Sequence, residues 1–470
     1  MVETGGMNKL YATSASGLTI KCITTILLCS VIAGCSSAHF FVNPRNDTGI
    51  QTPPYYLERQ SSAQQSDDLL VMLAFSGGGM RATALSYGVL DVLRDIEFDL
   101  DGTKSNLLNE VDLISSVSGG SFTAAYYGLN GYRIFDDFEE KFVRANIERE
   151  LIKKVLSPRR WYDLGSEYYD RSEVASDYYD KVLFKGATFS DLAQQPGPAI
   201  LINSTDLTLG TGFGFHQQQF DWMCSSIADF PISRAVTASS AVPGLFSAVT
   251  LFNYGSDCEP RLPHWMSSDI WRESPDLLPY TKKINAYRNS VERPYIHLMD
   301  GGLADNLGLR ALMDYFSIKG SAADALTDLG IGNTKKVVVI VTDAAAAPSM
   351  DINKRKDPPS TFFTVDAATT VQISLYNKET IKLFKSTINN WQEQVSLARC
   401  GRMFCKDNLE FYFIKVSLAD VIDEQQRKFL QEIPTTYSLE KAEADGLINA
   451  AGELLLQSDE FKRLMYDLQN

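Results

Sequence analysis

The feature that most constrains this chain is a run of seven apolar residues, Leu69–Phe75, that stops at Ser76-Gly77-Gly78-Gly79. A strand with no polar side chain on either face must be covered on both. Such strands belong to parallel sheets flanked by helices, which excludes a wet-faced antiparallel position for this segment. Similar runs recur: Val111-Asp112-Leu113-Ile114, residues 199–203, 246–252 and 295–299, and the clearest one, residues 335–342. Between the first two strands Met80, Ala84, Tyr87, Leu90 and Leu93 follow helical spacing, and residues 122–127 after the second also read as helix. Strand, loop, helix, strand, turn, helix predicts the α/β class: a mostly parallel sheet with helices on both faces. Residues 362–397 read as helix, 409–416 as strand and 439–468 as an amphipathic helical stretch. Residues 135–195 are charged and helical, with aromatics at intervals. They suit an inserted helical cap, and equally further layer helices.

The chain has 470 residues, 44% of them hydrophobic, enough for one large core. Its formal net charge of −14 argues against nucleic acid as the main partner and against simple electrostatic docking on anionic lipid. The N-terminus offers another route to a membrane. Lys9 and Lys21 precede the apolar run 23–31, too short to span a bilayer and shaped like a secretory signal. Ile32-Ala33-Gly34-Cys35 resembles the bacterial lipobox, in which the cysteine takes lipid and becomes the mature first residue. A plain signal peptide is the alternative. Ser36, rather than Asp, follows, which suggests the outer membrane of a bacterial cell envelope. The expected organisation is a signal peptide over 1–34, a lipidated tether over 35–68 and one catalytic domain over 69–470, with a C-terminal helical extension from about 420. Of the cysteines left, Cys224, Cys258, Cys400 and Cys405 suit disulfides in an exported protein. Cys224–Cys258 with Cys400–Cys405 closes the shorter loops. Their spacing fits no common zinc pattern.

Three short segments carry the chemistry. Gly77, Gly78 and Gly79, between a strand and a helix, leave backbone N–H groups free to bind an anion. The loop has neither GxxxxGK[ST] nor GxGxxG, so an oxyanion suits it better than a nucleotide phosphate. Arg81 suits steadying that loop, attracting a lipid phosphate, or a plain helix surface charge. In Ser116-Val117-Ser118-Gly119-Gly120-Ser121 the serine sits at a turn from strand to helix, the form of a nucleophile elbow. An ordinary Gly/Ser loop has the same composition. Ser118 needs a base, yet no histidine completes a triad. His39 lies in the tether, His216 and His264 have no partner motif, and His297 reads as a packed core residue. Asp300 ends an apolar strand before Gly301-Gly302, at the edge where open α/β sheets bind ligands. Taken alone, Asp-Gly-Gly reads as a turn.

Taken together, the glycine loop, the SxSxG and the Asp-Gly-Gly, in this order and each after a strand, resemble the patatin-like phospholipase family over roughly residues 69–310. Residues 232–246, with Ala238-Ser239-Ser240-Ala241-Val242-Pro243, and Asp300-Gly301-Gly302 with Asn306 extend the likeness. The resemblance implies a patatin-like three-layer fold and a Ser118–Asp300 dyad that hydrolyses acyl esters of phospholipids or lysophospholipids. It places the oxyanion on Gly77, Gly78 and Gly79, with Arg81, Gly120 and Gly301 in support. It calls for no cofactor and no metal. Ser116 departs from the family's leading glycine and puts the geometry of the turn at risk. The same residues suit an acyltransferase, and the fold alone would suit a lipid-binding lipoprotein without turnover.

Overall fold

The seven apolar residues have no side chain to expose, and the structure sets them between two other strands. It is a computed structural model that describes residues 40–46, 55–57, 65–100, 103–155, 170–260, 262–267, 277–346, 353–354, 356–358, 361–402 and 409–469. The signal segment, Cys35 and Cys405 lie outside the described residues. The strands are β1 (Phe40–Phe41), β2 (Leu69–Phe75), β3 (Glu97–Leu100), β4 (Thr103–Asn106), β5 (Val111–Val117), β6 (Ala199–Asp206), β7 (Thr211–Gly214), β8 (Val249–Phe252), β9 (Tyr295–Asp300), β10 (Lys336–Asp343) and β11 (Glu410–Ser417). Nine of them form one sheet in the order β1-β8-β9-β6-β5-β2-β10-β11, with β7 beside β6. β6, β5, β2, β10 and β11 are all parallel. The fold is the predicted α/β type, a mostly parallel sheet between helical layers.

Two features differ from the simple alternation. β3 and β4 form a separate antiparallel hairpin between the first helix and β5. β9 also runs antiparallel to β6, and β8 antiparallel to β9. Asp300 therefore arrives from the direction opposite to the other strand ends. It pairs with Ser204, one step beyond Asn203, the partner of Val117. That register sets Asp300 level with the residue after β5, which is Ser118. His297 corrects a further expectation. It is exposed rather than packed, because strand alternation turns it away from the buried Ile296 and Leu298. Its Nδ1 lies 2.9 Å from Thr250 Oγ1.

The main helices are α1 (Met80–Asp95), α2 (Gly119–Asn130), α3 (Ile147–Val155), α4 (Arg171–Tyr179), α5 (Ile232–Ser239), α6 (Leu309–Ile318), α7 (Ala322–Asp328), α8 (Thr361–Cys400) and α9 (Lys441–Gln457). α1, α2, α5 and α9 cover one face; α6, α7 and α8 cover the other. Gly128 of α2 sits against Ile200 of β6, where a Cβ would lie 2.4 Å from that side chain. Residues 135–155 and 170–195 pack onto the first layer: Phe122 of α2 meets Phe142 and Tyr179 at ring distances of 4.7 and 4.8 Å. A partly buried ion pair, Arg234 with Glu173, joins α5 to α4. Cys224 and Cys258 are bridged, and Cys400 is also disulfide-bonded. Among the described residues no helix is long and apolar enough to cross a membrane.

One buried cation ties the far end of the chain to the glycine loop. Arg81 is only 2% exposed, so it is neither a surface charge nor open to a lipid phosphate. Its Nε donates to the Ala344 carbonyl at 2.6 Å, and its guanidinium also donates to the Ile433 carbonyl and to Thr435 Oγ1. Burial pulls its pKa down to about 10, so it stays charged at neutral pH. The Met80 amide donates to the Thr436 carbonyl at 3.0 Å. Residues 433–436 thus strap the start of α1. Arg81→Ala leaves these buried carbonyls without their donor and is expected to lower stability by about 3 kcal/mol in urea unfolding. Arg81→Lys restores part of the loss at most, since a lysine lacks the planar fork.

Candidate active site

β5 is buried along its whole length and ends in a turn that only strong packing can hold. Ser118 has φ 49° and ψ −119°, a region that costs a residue with a Cβ about 1–3 kcal/mol. α2 begins at the next residue. Close packing leaves no room for side chains after the serine. A Cβ on Gly119 would lie 2.0 Å from the Gly79 carbonyl oxygen, and one on Gly120 would lie 2.7 Å from Phe75 Cβ. Ser116, the departure from the family pattern, is accommodated. It is fully buried, and its Oγ donates to the Leu201 carbonyl at 3.2 Å.

The turn aims the hydroxyl at a carboxylate. Ser118 Oγ donates to Asp300 Oδ2 at 2.8 Å across 182 residues of chain. Asp300 Oδ1 accepts the Gly302 amide at 2.8 Å. The Asp300 amide donates to the Ala241 carbonyl and the Gly301 amide to the Ser239 carbonyl, both at 3.0 Å. Burial pushes the Asp300 carboxyl up to about 6, against the opposing pull of the Gly302 and Ser118 hydrogen bonds. It is therefore ionised at neutral pH but far more basic than a solvated aspartate. No described histidine hydrogen-bonds to either group.

The glycine loop lies against the turn, with a Cβ position on Gly77 only 3.3 Å from Ser118 Cβ. Its three amides are not equivalent. The Gly77 N–H donates to the Asn306 carbonyl at 2.9 Å and is not available to an oxyanion. Among the described residues the amides of Gly78 and Gly79 meet no acceptor. Both residues have positive φ, 139° and 61°, so the loop needs glycine there. Two neighbouring N–H groups beside a serine hydroxyl can hold the oxygen of a tetrahedral intermediate. Arg81 makes no hydrogen bond to Ser118 or Asp300; it is held by the Ala344 and Ile433 carbonyls behind the loop. Among the described residues no three His, Cys, Asp or Glu side chains are placed to hold a metal ion.

Ser239 is the participant whose role the motifs did not reveal. Its Oγ accepts the Ser118 amide at 2.8 Å and donates to the Asn203 carbonyl at 2.6 Å. Ser121 Oγ lies 2.9 Å away from the same atom. One hydroxyl at the C-terminal end of α5 thus pins the strained turn to the sheet. The sequence signal was present in Ala238-Ser239-Ser240, but nothing in it separates the first serine from the second. Tyr437 closes the same corner by donating to the Ser240 carbonyl at 2.9 Å.

A search of curated proteins returns no match. Among solved structures, the chain is similar to human GIVD cytosolic phospholipase A2, with 12% identity and a TM-score of 0.42 over 86% of this chain. It spans 62% of the length of that phospholipase. It is also similar to VipD from Legionella pneumophila, with 12% identity and a TM-score of 0.30 over 90% of this chain and 72% of that one. The family model "Patatin-like phospholipase" matches residues 73–313, an interval that holds the glycine loop, the strained serine and the buried aspartate. With half of its length in that match, the chain belongs to the patatin-like phospholipase family.

Proposed function

We propose that this chain is a lipid-anchored serine acyl hydrolase that cleaves ester bonds of phospholipids or lysophospholipids. The observation that carries the reading is the 2.8 Å hydrogen bond from Ser118 Oγ to a buried, basic Asp300 beside two unused amides. Ser118 Oγ attacks the ester carbonyl carbon while its proton passes to Asp300 Oδ2. The carbonyl oxygen becomes an oxyanion on the amides of Gly78 and Gly79. The carbon–oxygen bond to the alcohol then breaks. Asp300 returns the proton to the departing alcohol, and the acyl group stays on Ser118. Water attacks this acyl-enzyme, giving its proton to Asp300. The fatty acid leaves, and the proton goes back to Ser118.

Membrane attachment rests on Cys35 within Ile32-Ala33-Gly34-Cys35, and Ser36 favours the outer membrane. The Cys224–Cys258 bridge supports an oxidising compartment, as export to the cell envelope requires. The partner is then the phospholipid of that membrane.

Fatty-acid release from phospholipid vesicles, followed by mass spectrometry, tests the chemistry. Ser118→Ala and Asp300→Asn are each expected to lower release by about 10³-fold or more. Equal release by the wild type and both variants would overturn the dyad.

The pH profile has a definite sign. Only ionised Asp300 takes the proton, so kcat/KM should rise about tenfold per unit below pH 6 and level off above it. A rise centred near pH 4 would mean that the base is a solvated carboxylate. Stability runs the other way. The folded carboxyl, raised from 3.8 to about 6, holds its proton more tightly than the unfolded one. Its contribution to stability is therefore present at low pH and is lost as the pH rises through about 4 to 6. Asp300→Asn escapes that loss. Relative to wild type it should gain up to about 3 kcal/mol between pH 4 and pH 7 in denaturant titrations.

A further inference from the structure

A net charge of −14 works against electrostatic hold on an anionic bilayer surface, yet the proposed substrate lies there. The long helix α8 supplies an apolar means. Its packing seam runs through Asn377, Thr380, Phe384, Ile388, Trp391 and Val395, buried at helical spacing. Hydrogen bonds fix its level on the sheet. Arg399 donates to the carbonyls of Gly332 and Thr334, just before β10 begins. Asn377 Nδ2 lies 3.2 Å from Asp343 Oδ1, where β10 ends. α8 therefore runs back along β10 and reaches its C-terminal end at Asn377. That end is the catalytic edge: the Ala344 carbonyl oxygen, one residue on, is 3.2 Å from a Cβ position on Gly78.

Residues 361–376 come before this level and, at 1.5 Å per residue, project about 24 Å past it. None of their described side chains is buried. Val371 is 43% and Leu375 59% exposed. A helical segment held in water is normally charged on its open face. This one reads Thr-Phe-Phe-Thr-Val-Asp-Ala-Ala-Thr-Thr-Val-Gln-Ile-Ser-Leu-Tyr, with Asp366 as its single charge.

We infer that residues 361–376 of α8 are a docking element that lies in the interface of a phospholipid bilayer and brings the Ser118–Asp300 edge down onto its substrate. The inference rests on the proposed lipid hydrolase reading. A protein partner is the alternative occupant. The bilayer is favoured because the segment stands at the edge that carries the dyad, and because a stretch with a single charge in sixteen residues offers a protein partner little to pair with. The exposed apolar residues enter the headgroup–acyl boundary, where burial of their area holds the edge in place.

The test needs a local readout, since the lipid on Cys35 holds the whole chain to vesicles in any case. Hydrogen exchange by mass spectrometry on the full chain, carrying Ser118→Ala to spare the lipid, is compared with and without vesicles of phosphatidylethanolamine and phosphatidylglycerol. Exchange in peptides from 361–376 should slow at least about tenfold on vesicles, while peptides from 377–400 stay unchanged. Unchanged exchange in 361–376 on vesicle-bound chain would overturn the inference and leave a protein partner as the occupant. A second arm uses Val371→Asp with Leu375→Asp in the active chain. Hydrolysis of vesicle lipid should fall about tenfold or more, with turnover of a water-soluble short-chain ester unchanged. An equal fall on both substrates would also overturn the inference, because it would mean damage to the site. If the wild type hydrolyses neither substrate, the hydrolase reading fails, while the exchange result still decides whether the segment docks.

Discussion

The hydrogen bond between Ser118 and Asp300 is the contact around which the structure is arranged. It joins two groups 182 residues apart, and neither could hold its position alone. The serine needs a backbone conformation that an L-residue resists. β5 fixes the chain on one side of it and α2 on the other, while Ser239 holds its amide. The aspartate needs to be dry and still within reach. The antiparallel β9 delivers it one register step from β5's neighbour, and the amides of Asp300 and Gly301 tie it to the end of α5. α5 thus supports both partners, through the Ser239 hydroxyl for one and the Ser239 and Ala241 carbonyls for the other. A shift of α5 would move serine and aspartate together, which keeps their separation constant.

Burial suits the carboxylate to the role proposed for it. In a triad, a histidine takes the serine proton and a carboxylate orients the histidine. Here the carboxylate meets the serine directly, and loss of water raises its basicity toward the range a histidine would have. The Gly302 amide limits the rise by bonding Oδ1. Without that bond the carboxyl would move further toward the protonated form. Burial on one side, and the Gly302 and Ser118 hydrogen bonds on the other, set its basicity.

Much of this was legible in the sequence, and the boundary has physical causes. Apolar runs such as Leu69–Phe75 and residues 335–342 marked buried parallel strands, because nothing else hides both faces of a strand. The positions of Ser118 and Asp300 followed from small residues after strands. Strand direction was not legible. Tyr295–Asp300 looks alike running either way, and only the sheet decides. His297 was misjudged for a related reason, since its neighbours are apolar but its own side faces out. The hairpin of β3 and β4 was missed although Asp101-Gly102, a strong turn pair, stands between them. The Gly77 amide was assigned to the oxyanion with its two neighbours, but its acceptor, the Asn306 carbonyl, is more than two hundred residues away. Of the three readings open for Arg81 the sequence alone does not choose, because its main partners are backbone carbonyls, which leave no mark in a sequence; the contacts favour steadying the loop.

Those carbonyls bear on where the active site ends. The family match stops at residue 313, and everything needed for the dyad lies before it. Yet the glycine loop is held from beyond that point. Ala344 follows β10, and Ile433, Thr435 and Thr436 belong to the C-terminal part of the chain. α9 presses on α1 at Gly88, where a Cβ would lie 2.6 Å from the Ile448 carbonyl oxygen. Remove the C-terminal part, and α1 loses its cover and two of the three acceptors of its guanidinium, Ile433 and Thr435. The first turn of α1, next to Gly78 and Gly79, would then lose what holds it. The matched segment contains Ser118 and Asp300, but residues outside it, Tyr437 and α9 among them, pack against the elements that position the pair.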